Sequence, residues 1–240
     1  MTGKRQLDSV FFGGGTPSLM NPNLVSQILE HVSNHWAFSP NCEVTLEANP
    51  SSAEASKFRD FRAAGINRIS IGMQALNDLD LKRLGRQHSA QEAIEAYEMS
   101  KKIFQRVSID LIYGRQYQSI SQWEKELRQA LMMDLDHISL YQLTIEENTT
   151  FSKLEKTGKL NGLPNEEVSA QFFEVTQKIC EEHLLPLYEV SNHAKKGFES
   201  QHNLVYWRYG DYAGVGPGAH GRLTINDKKF RTESISNPFS

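Results

Sequence analysis

The sequence predicts an α/β protein built as an open, partial (β/α)6 barrel of the TIM type. Three observations lead there. Short apolar runs alternate with stretches whose apolar residues recur at helical spacing, the rhythm of a parallel sheet. Polar residues (Gly13 to Thr16, Glu47, Gln74, Asp110 and Gln142) fall at or just past the C-terminal ends of several different runs. One polar group per strand at one end is how a barrel builds its site, whereas a doubly wound sheet gathers ligands at a single switch point. Finally, six strand–helix units can be counted along the chain, too few to close an eight-stranded barrel.

The elements follow in order. Ser9 to Phe12 is a short apolar run that ends in Gly13-Gly14-Gly15, as a buried strand entering a loop does. Leu24, Ile28, Leu29 and Val32 mark one face of a helix reaching Trp36. Val44 to Ala48 is the next strand, stopped by Asn49-Pro50. Ser51 or Ser52 then caps a helix running through Phe58 and Phe61 to Ala64, closed by Gly65. Arg68–Gly72, Arg106–Ile112 and His137–Leu143 read as further strands, with helices over Ala90–Phe104 and Gln122–Met133 between them. A longer connection leads to a helix over Glu166–His183, and Pro186 introduces a short strand from Leu187 to Val190.

With 240 residues the chain is long enough to bury a core, and its 39% hydrophobic and 23% charged residues are ordinary for a folded domain. A formal net charge of −3 gives no electrostatic reason to expect a nucleic-acid partner. No apolar run approaches the roughly 20 residues that cross a bilayer. The start, Met1 to Asp8, lacks a hydrophobic signal region, so the cytoplasm is the expected compartment. Cys42 and Cys180 stand far apart without a CxxC partner, which supports neither a disulfide framework nor a zinc or iron–sulfur site and fits two buried thiols.

The sharpest local motif is Gly13-Gly14-Gly15-Thr16-Pro17-Ser18. Three glycines let the backbone approach a ligand and turn N–H groups toward it, Thr16 adds a hydroxyl, and Pro17 stiffens the exit. The spacing matches neither a Walker A loop nor a dinucleotide fingerprint, and a flexible strand–helix turn would use the same residues. Glu47 could accept from an ammonium or a ribose hydroxyl, or could be a solvated strand end. Gln74 and Asp110 are similarly ambiguous singly. Arg86, placed by its spacing at the start of a helix, would be opposed by the helix dipole unless a carboxylate partner met it. Further on, His202, Tyr206 and Trp207 lie in one aromatic segment, followed by Gly214-Val215-Gly216-Pro217-Gly218-Ala219-His220. Histidine among aromatic rings suits a planar ligand or an aromatic surface cluster.

Together these segments resemble the oxygen-independent coproporphyrinogen oxidase-like branch of the radical S-adenosylmethionine (SAM) proteins, over about Val10 to Gly221. The glycine loop, Glu47-Ala48-Asn49-Pro50, Gly72-Met73-Gln74, Gly85-Arg86-Gln87-His88 and Asp110-Leu111-Ile112-Tyr113-Gly114 occur in family order. The HNxxYW run at His202–Trp207 and the GxGPGAH run favour the haem-chaperone members. The resemblance implies a SAM pocket in which Gly14, Gly15 and Thr16, helped by Glu47, meet the methionine amino group. Arg86 would pair with its carboxylate, and Gln74 and Asp110 would hold the ribose. Gly218, Ala219 and His220 would close over the adenine. It further implies that His202, with Tyr206 and Trp207, contacts haem; His193 and His220 are the next candidates.

Two departures accompany the resemblance. The family carries a CxxxCxxC loop after its first strand, holding a 4Fe–4S cluster; this chain starts at what would be the second strand. The family also reads Leu-Pro-Gly-Gln-Thr where this chain has Arg115-Gln116-Tyr117-Gln118-Ser119, which adds bulk beside Asp110. The expectation is therefore a fragment: residues 1–221 a partial radical SAM core, and residues 222–240 the start of a truncated C-terminal region. The intact protein would bind SAM and a 4Fe–4S cluster and pass haem to an acceptor protein. Oxidation of coproporphyrinogen, or an inactive truncated product, are the alternatives.

Overall fold

The computed structural model describes residues 5–147 and 149–235. Seven strands form one sheet in the order β1-β2-β3-β4-β5-β7-β6. They are β1 (Gln6–Phe12), β2 (Ala37–Ala48), β3 (Arg68–Gln74), β4 (Arg106–Tyr113), β5 (His137–Gln142), β6 (Leu187–Glu189) and β7 (Asn192–Ala194). The first five run parallel in sequence order, and helices complete each crossover. These are α1 (Pro22–Ser33), the short α2 (Ser52–Ala55) and α3 (Phe58–Ala63), α4 (Asp78–Arg83) and α5 (Ala90–Lys101), α6 (Ile120–Leu131), and α7 (Thr150–Lys156) with α8 (Glu166–Glu182). The sheet is curled and incomplete, a half-barrel of the expected α/β type.

Parity along the strands separates two faces. Val44, Leu46, Ile69, Ile71, Val107, Ile109, Ile138 and Leu140 all lie at 5% exposure or less and pack with Phe58, Phe61, Trp123 and Phe172 from the helices. Each such side chain contributes about 1.5–3 kcal/mol by leaving water. The alternate residues line the concave face and are polar in almost every row. Thr45, Arg68 and Arg106 are register partners, and so are Glu47, Ser70 and Ser108, followed by Asp110 and Ser139.

Helix starts obey local chemistry. Ser51 caps α2 through its side chain, and Ser89 and Ser119 form reciprocal capping boxes with Glu92 and Gln122. The helix expected from Ser51 to Ala64 is broken instead into α2 and α3, with Lys57 in the hinge between them. Several elements were not anticipated: α4, α7, β7, helix α9 (Gln201–Trp207), and a separate hairpin of β8 (His220–Ile225) with β9 (Lys228–Glu233). β7 runs antiparallel between β5 and β6, so the sixth expected strand, β6, keeps the direction of the first five but does not pair with β5. Residues 221 and 222, at the expected domain boundary, are consecutive residues of β8.

Candidate functional site at the rim and floor of the half-barrel

At the C-terminal rim, Gly14 and Gly15 have φ of +80° and +61°, conformations a side chain would strain. The turn points the Gly14 N–H at Glu47 Oε2, 3.1 Å away. Burial raises the Glu47 pKa, and that Gly14 bond opposes the rise. Behind the loop the buried Glu54 accepts from the Ser18 hydroxyl and from the Asn49 N–H at 3.1 Å, locking the loop's exit to the end of β2. Thr16 precedes a single 3-10 turn, and its carbonyl accepts from Leu19 N–H at 3.1 Å. Glu54 has no motif around it, so nothing in the local sequence marks its role.

Asp110, on β4, is near enough to Glu47 to feel its charge. Its Oδ1 accepts from Ser70 Oγ at 3.1 Å. Burial pushes its pKa up to about 6; the Ser139 hydroxyl opposes this and the Glu47 charge adds to it. Arg86 feels the Asp110 charge across the site. Arg86 does not start a helix, as its spacing suggested. It ends one: Gly85 N–H bonds Lys82 O at 3.1 Å and Arg86 N–H bonds Leu81 O at 2.9 Å, the Schellman pattern closing α4. A cation there is favoured by the helix dipole, the reverse of the expected penalty.

Gln74 ends β3 with φ +67°, folding its amide back over Gly72, where any Cβ would come within 2.7 Å of Nε2. The departure at residues 115–119 supports this turn. Arg115, 3% exposed, forms a buried pair with Glu126, meets Asp80 at 3.0 Å, and donates to the carbonyls of Ile112 at 3.0 Å and Gln74 at 3.4 Å. Glu126 in turn accepts from the Leu76 N–H at 2.6 Å. Tyr117, at the family's glycine position, takes φ +59° and is held by its N–H on Gly162 O at 2.7 Å. The added bulk therefore points away from Asp110 or into a buried ionic clamp.

Deeper in the concave face, Glu43 is 3% exposed. Its Oε2 faces Arg106 at 2.8 Å and Arg68 at 3.8 Å as ion pairs. Its Oε1 accepts from Gln201 N–H at 2.9 Å, at the start of α9. α9 is tied to the other end of the sheet by Tyr188, whose hydroxyl accepts from Asn203 Nδ2 at 3.2 Å and Ser200 N–H at 3.3 Å. With both lone pairs used, Tyr188 donates to His137 Nε2 at 2.8 Å, and the neutral ring donates from Nδ1 to Ser108 Oγ at 2.7 Å. Burial and the two arginines hold the His137 pKa well down.

This scaffold sets His202 parallel to Phe11, with ring centroids 4.1 Å apart, and edge-on to Tyr206 at 4.8 Å. Burial lowers the His202 pKa to about 4, so its imidazole is neutral at pH 7, the form that ligates metals. Tyr206 and Trp207 are 39% and 57% exposed. His193, the second candidate, is buried on the opposite face beside Ile138 with Nε2 on Gln177, which disqualifies it as an accessible ligand. His220 opens the hairpin and Ala219 immediately precedes it. Ala219 bonds Gly216 and Ser234, and His220 lines a cavity with Tyr209 and Tyr212, so no described contact brings them to the strand ends.

Gly14, Glu47, Asp110, Arg86 and Gln74 thus share one rim. Two neighbouring desolvated carboxylates, one of them within reach of the Arg86 charge, suit a ligand carrying positive charge, a carboxylate and hydroxyls. The thiols are different. Burial raises Cys42 to about 11 and Cys180 to about 12, and no cluster of three metal-ligating side chains occurs among the described residues. Neither thiol fits an iron–sulfur cluster.

A parallel half-barrel with its polar groups at the strand ends, opened by a glycine loop, is a partial barrel of the TIM type. The chain belongs to the radical SAM superfamily, which it matches over residues 2–130. It is 44% identical over 224 residues to radical S-adenosyl methionine domain-containing protein 1, mitochondrial, of Bos taurus, covering 93% of this chain and 50% of that protein. It is 39% identical over 236 residues to the heme chaperone HemW of Escherichia coli, covering 98% and 61%. The chain thus spans about half or a little more of the curated relatives it matches. The fold superposes on coproporphyrinogen III oxidase (HemN) from Escherichia coli with a TM-score of 0.78, covering 97% of this chain and 55% of that one at 18% identity, a likeness of fold.

Proposed function

We propose that this chain is the SAM-binding core of a haem-handling radical SAM protein. The observation that carries the reading is the charge arrangement at the rim, where half-buried Asp110 and Glu47 raise the demand for a cation beside Arg86. SAM supplies a sulfonium, an ammonium, a carboxylate and two ribose hydroxyls. Gly14, Gly15, Thr16 and Glu47 take the ammonium end, Arg86 the carboxylate, and Gln74 and Asp110 the ribose. Ala219 and His220 reach the adenine only if the hairpin moves toward the rim. A 4Fe–4S cluster would supply the electron that cleaves SAM; in this proposal its ligands lie outside these residues.

The haem part rests on the identity to the heme chaperone and on the neutral His202 between Phe11 and Tyr206. Delivery to an acceptor protein belongs to the same proposal, as does division of the chain into a core over 1–221 and a second region from 222. Among the described residues no helix is long and apolar enough to cross a membrane. The proposed compartment is the cytoplasm; a tagged full-length protein found in mitochondria would overturn that.

Calorimetry on the full-length protein tests the pocket. Arg86→Ala should weaken SAM binding by about 1.5–3 kcal/mol, since a charge-assisted pair is lost, and Gln74→Ala by about 0.5–1.5 kcal/mol. Equal, negligible effects would remove the assignment. For haem, the full-length protein should give a Soret band that His202→Ala shifts or weakens; an unchanged spectrum would move the ligand elsewhere.

A further inference from the structure

Beyond the HNxxYW helix the hairpin carries an open cavity of about 550 Å³, with His220 at its edge, whose cationic lining no SAM role explains. Its lining combines aromatic rings (Tyr209, Tyr212, Phe230) with three cations, Arg222, Lys229 and Arg231. Arg222 lies 4.1 Å from the Tyr209 ring centroid and 5.4 Å from that of Tyr212, and Lys229 lies 3.9 Å from Tyr209. Arg231 pairs with Glu233 at 3.2 Å on the open surface. Arg222 and Lys229 have no carboxylate partner among the described residues: they spend hydrogen bonds on the carbonyls of Gly210, Tyr206 and Tyr209 and keep their charge uncompensated. Asp211, in the segment that leads into the hairpin, is occupied by Arg5 at 2.5 Å and by Thr224.

The cavity is joined to the haem-contact helix by a continuous run of rings. His202 meets Tyr206 at 4.8 Å, Tyr206 meets Tyr212 at 4.5 Å, and Tyr212 exchanges two backbone bonds of 2.8 Å with Arg222. A flat ligand held edge-on by the His202 imidazole would lie parallel to the Tyr206 ring, which is perpendicular to His202, and direct its edge along this run toward the cations. We propose that the hairpin cavity is a carboxylate-binding subsite for the acid side chains of the tetrapyrrole, with Arg222, Lys229 and Arg231 as its donors. This deepens the haem reading and rests on it. The tyrosine rings hold Arg222 and Lys229 in place, which presents their charge to an anion.

The test is a Soret titration of the full-length protein with haem and with haem dimethyl ester, which lacks the two charges. Wild type should bind the ester about tenfold more weakly than haem, the loss of a charge-assisted contact. The double variant Lys229→Gln, Arg231→Gln should bind haem about tenfold more weakly and discriminate by less than about threefold. His202→Ala should weaken haem and ester alike. Arg231→Gln alone, whose side chain anchors no backbone, should cost about threefold for haem and nothing for the ester, and it serves if the double variant fails to fold. Tight binding of both ligands equally by wild type would overturn the subsite and leave the haem reading standing. Binding of neither would overturn both.

Discussion

The two faces of the one sheet make opposite use of alternate residues. In β2, Val44 and Leu46 turn outward into a closed apolar core, while Glu43, Thr45 and Glu47 turn inward. The outward set is interchangeable hydrophobic volume. The inward set is a ladder of specific partners: Glu43 against two arginines at the floor, and Glu47 against the glycine loop at the rim. Folding free energy is therefore concentrated on one parity and ligand chemistry on the other, with one exception. The floor of the inner face is structural, since Glu43 holds α9 as well as the arginines.

That exception gives the largest expected effect. Glu43→Ala strands the buried Arg68 and the half-buried Arg106, and should cost about 3–5 kcal/mol in denaturant unfolding. On the outer face, Ile69→Ala should cost about 2–4 kcal/mol by leaving a cavity, while SAM affinity of the folded protein stays unchanged. A change in affinity there would break the separation of the faces. At the rim the sign reverses. The folded pKa of Asp110, about 6, lies above its ordinary 3.8, so its ionisation costs stability as pH rises through that window, and the cost is full above it. Asp110→Asn should accordingly stabilise the ligand-free protein on the order of 1–2 kcal/mol at pH 8 and by little at pH 4. Equal stabilisation at both pH values would contradict a charge effect.

What the sequence made legible follows the same parity. β1 to β5 were readable because their outward residues form apolar runs ended by Gly, Pro or a polar group, and the rim residues were readable as those polar ends. Arg86 was misplaced because α4 has only six residues and a single buried apolar anchor, Leu81, too little periodicity to register. β7 and α9 are likewise short, and each depends on distant partners that local pattern cannot reveal: β7 on pairing with β5, and α9 on Glu43 and Tyr188. Residues 115–119 looked disruptive because a departure from a family pattern says nothing of its compensation. The Arg115–Glu126 clamp joins residues 11 positions apart through a turn and a helix, and only the fold brings it against Gln74.

The central claim, that inward carboxylates at the rim hold SAM, is tested most directly by SAM affinity of the full-length protein between pH 5 and pH 8. Binding should tighten as pH rises through about 6, where Asp110 ionises beside Glu47 and opposite Arg86. In Asp110→Asn the affinity at pH 8 should fall about tenfold or more and the rise through pH 6 should flatten. An Asp110→Asn protein that binds SAM as tightly as wild type, with the same pH profile, would contradict the account.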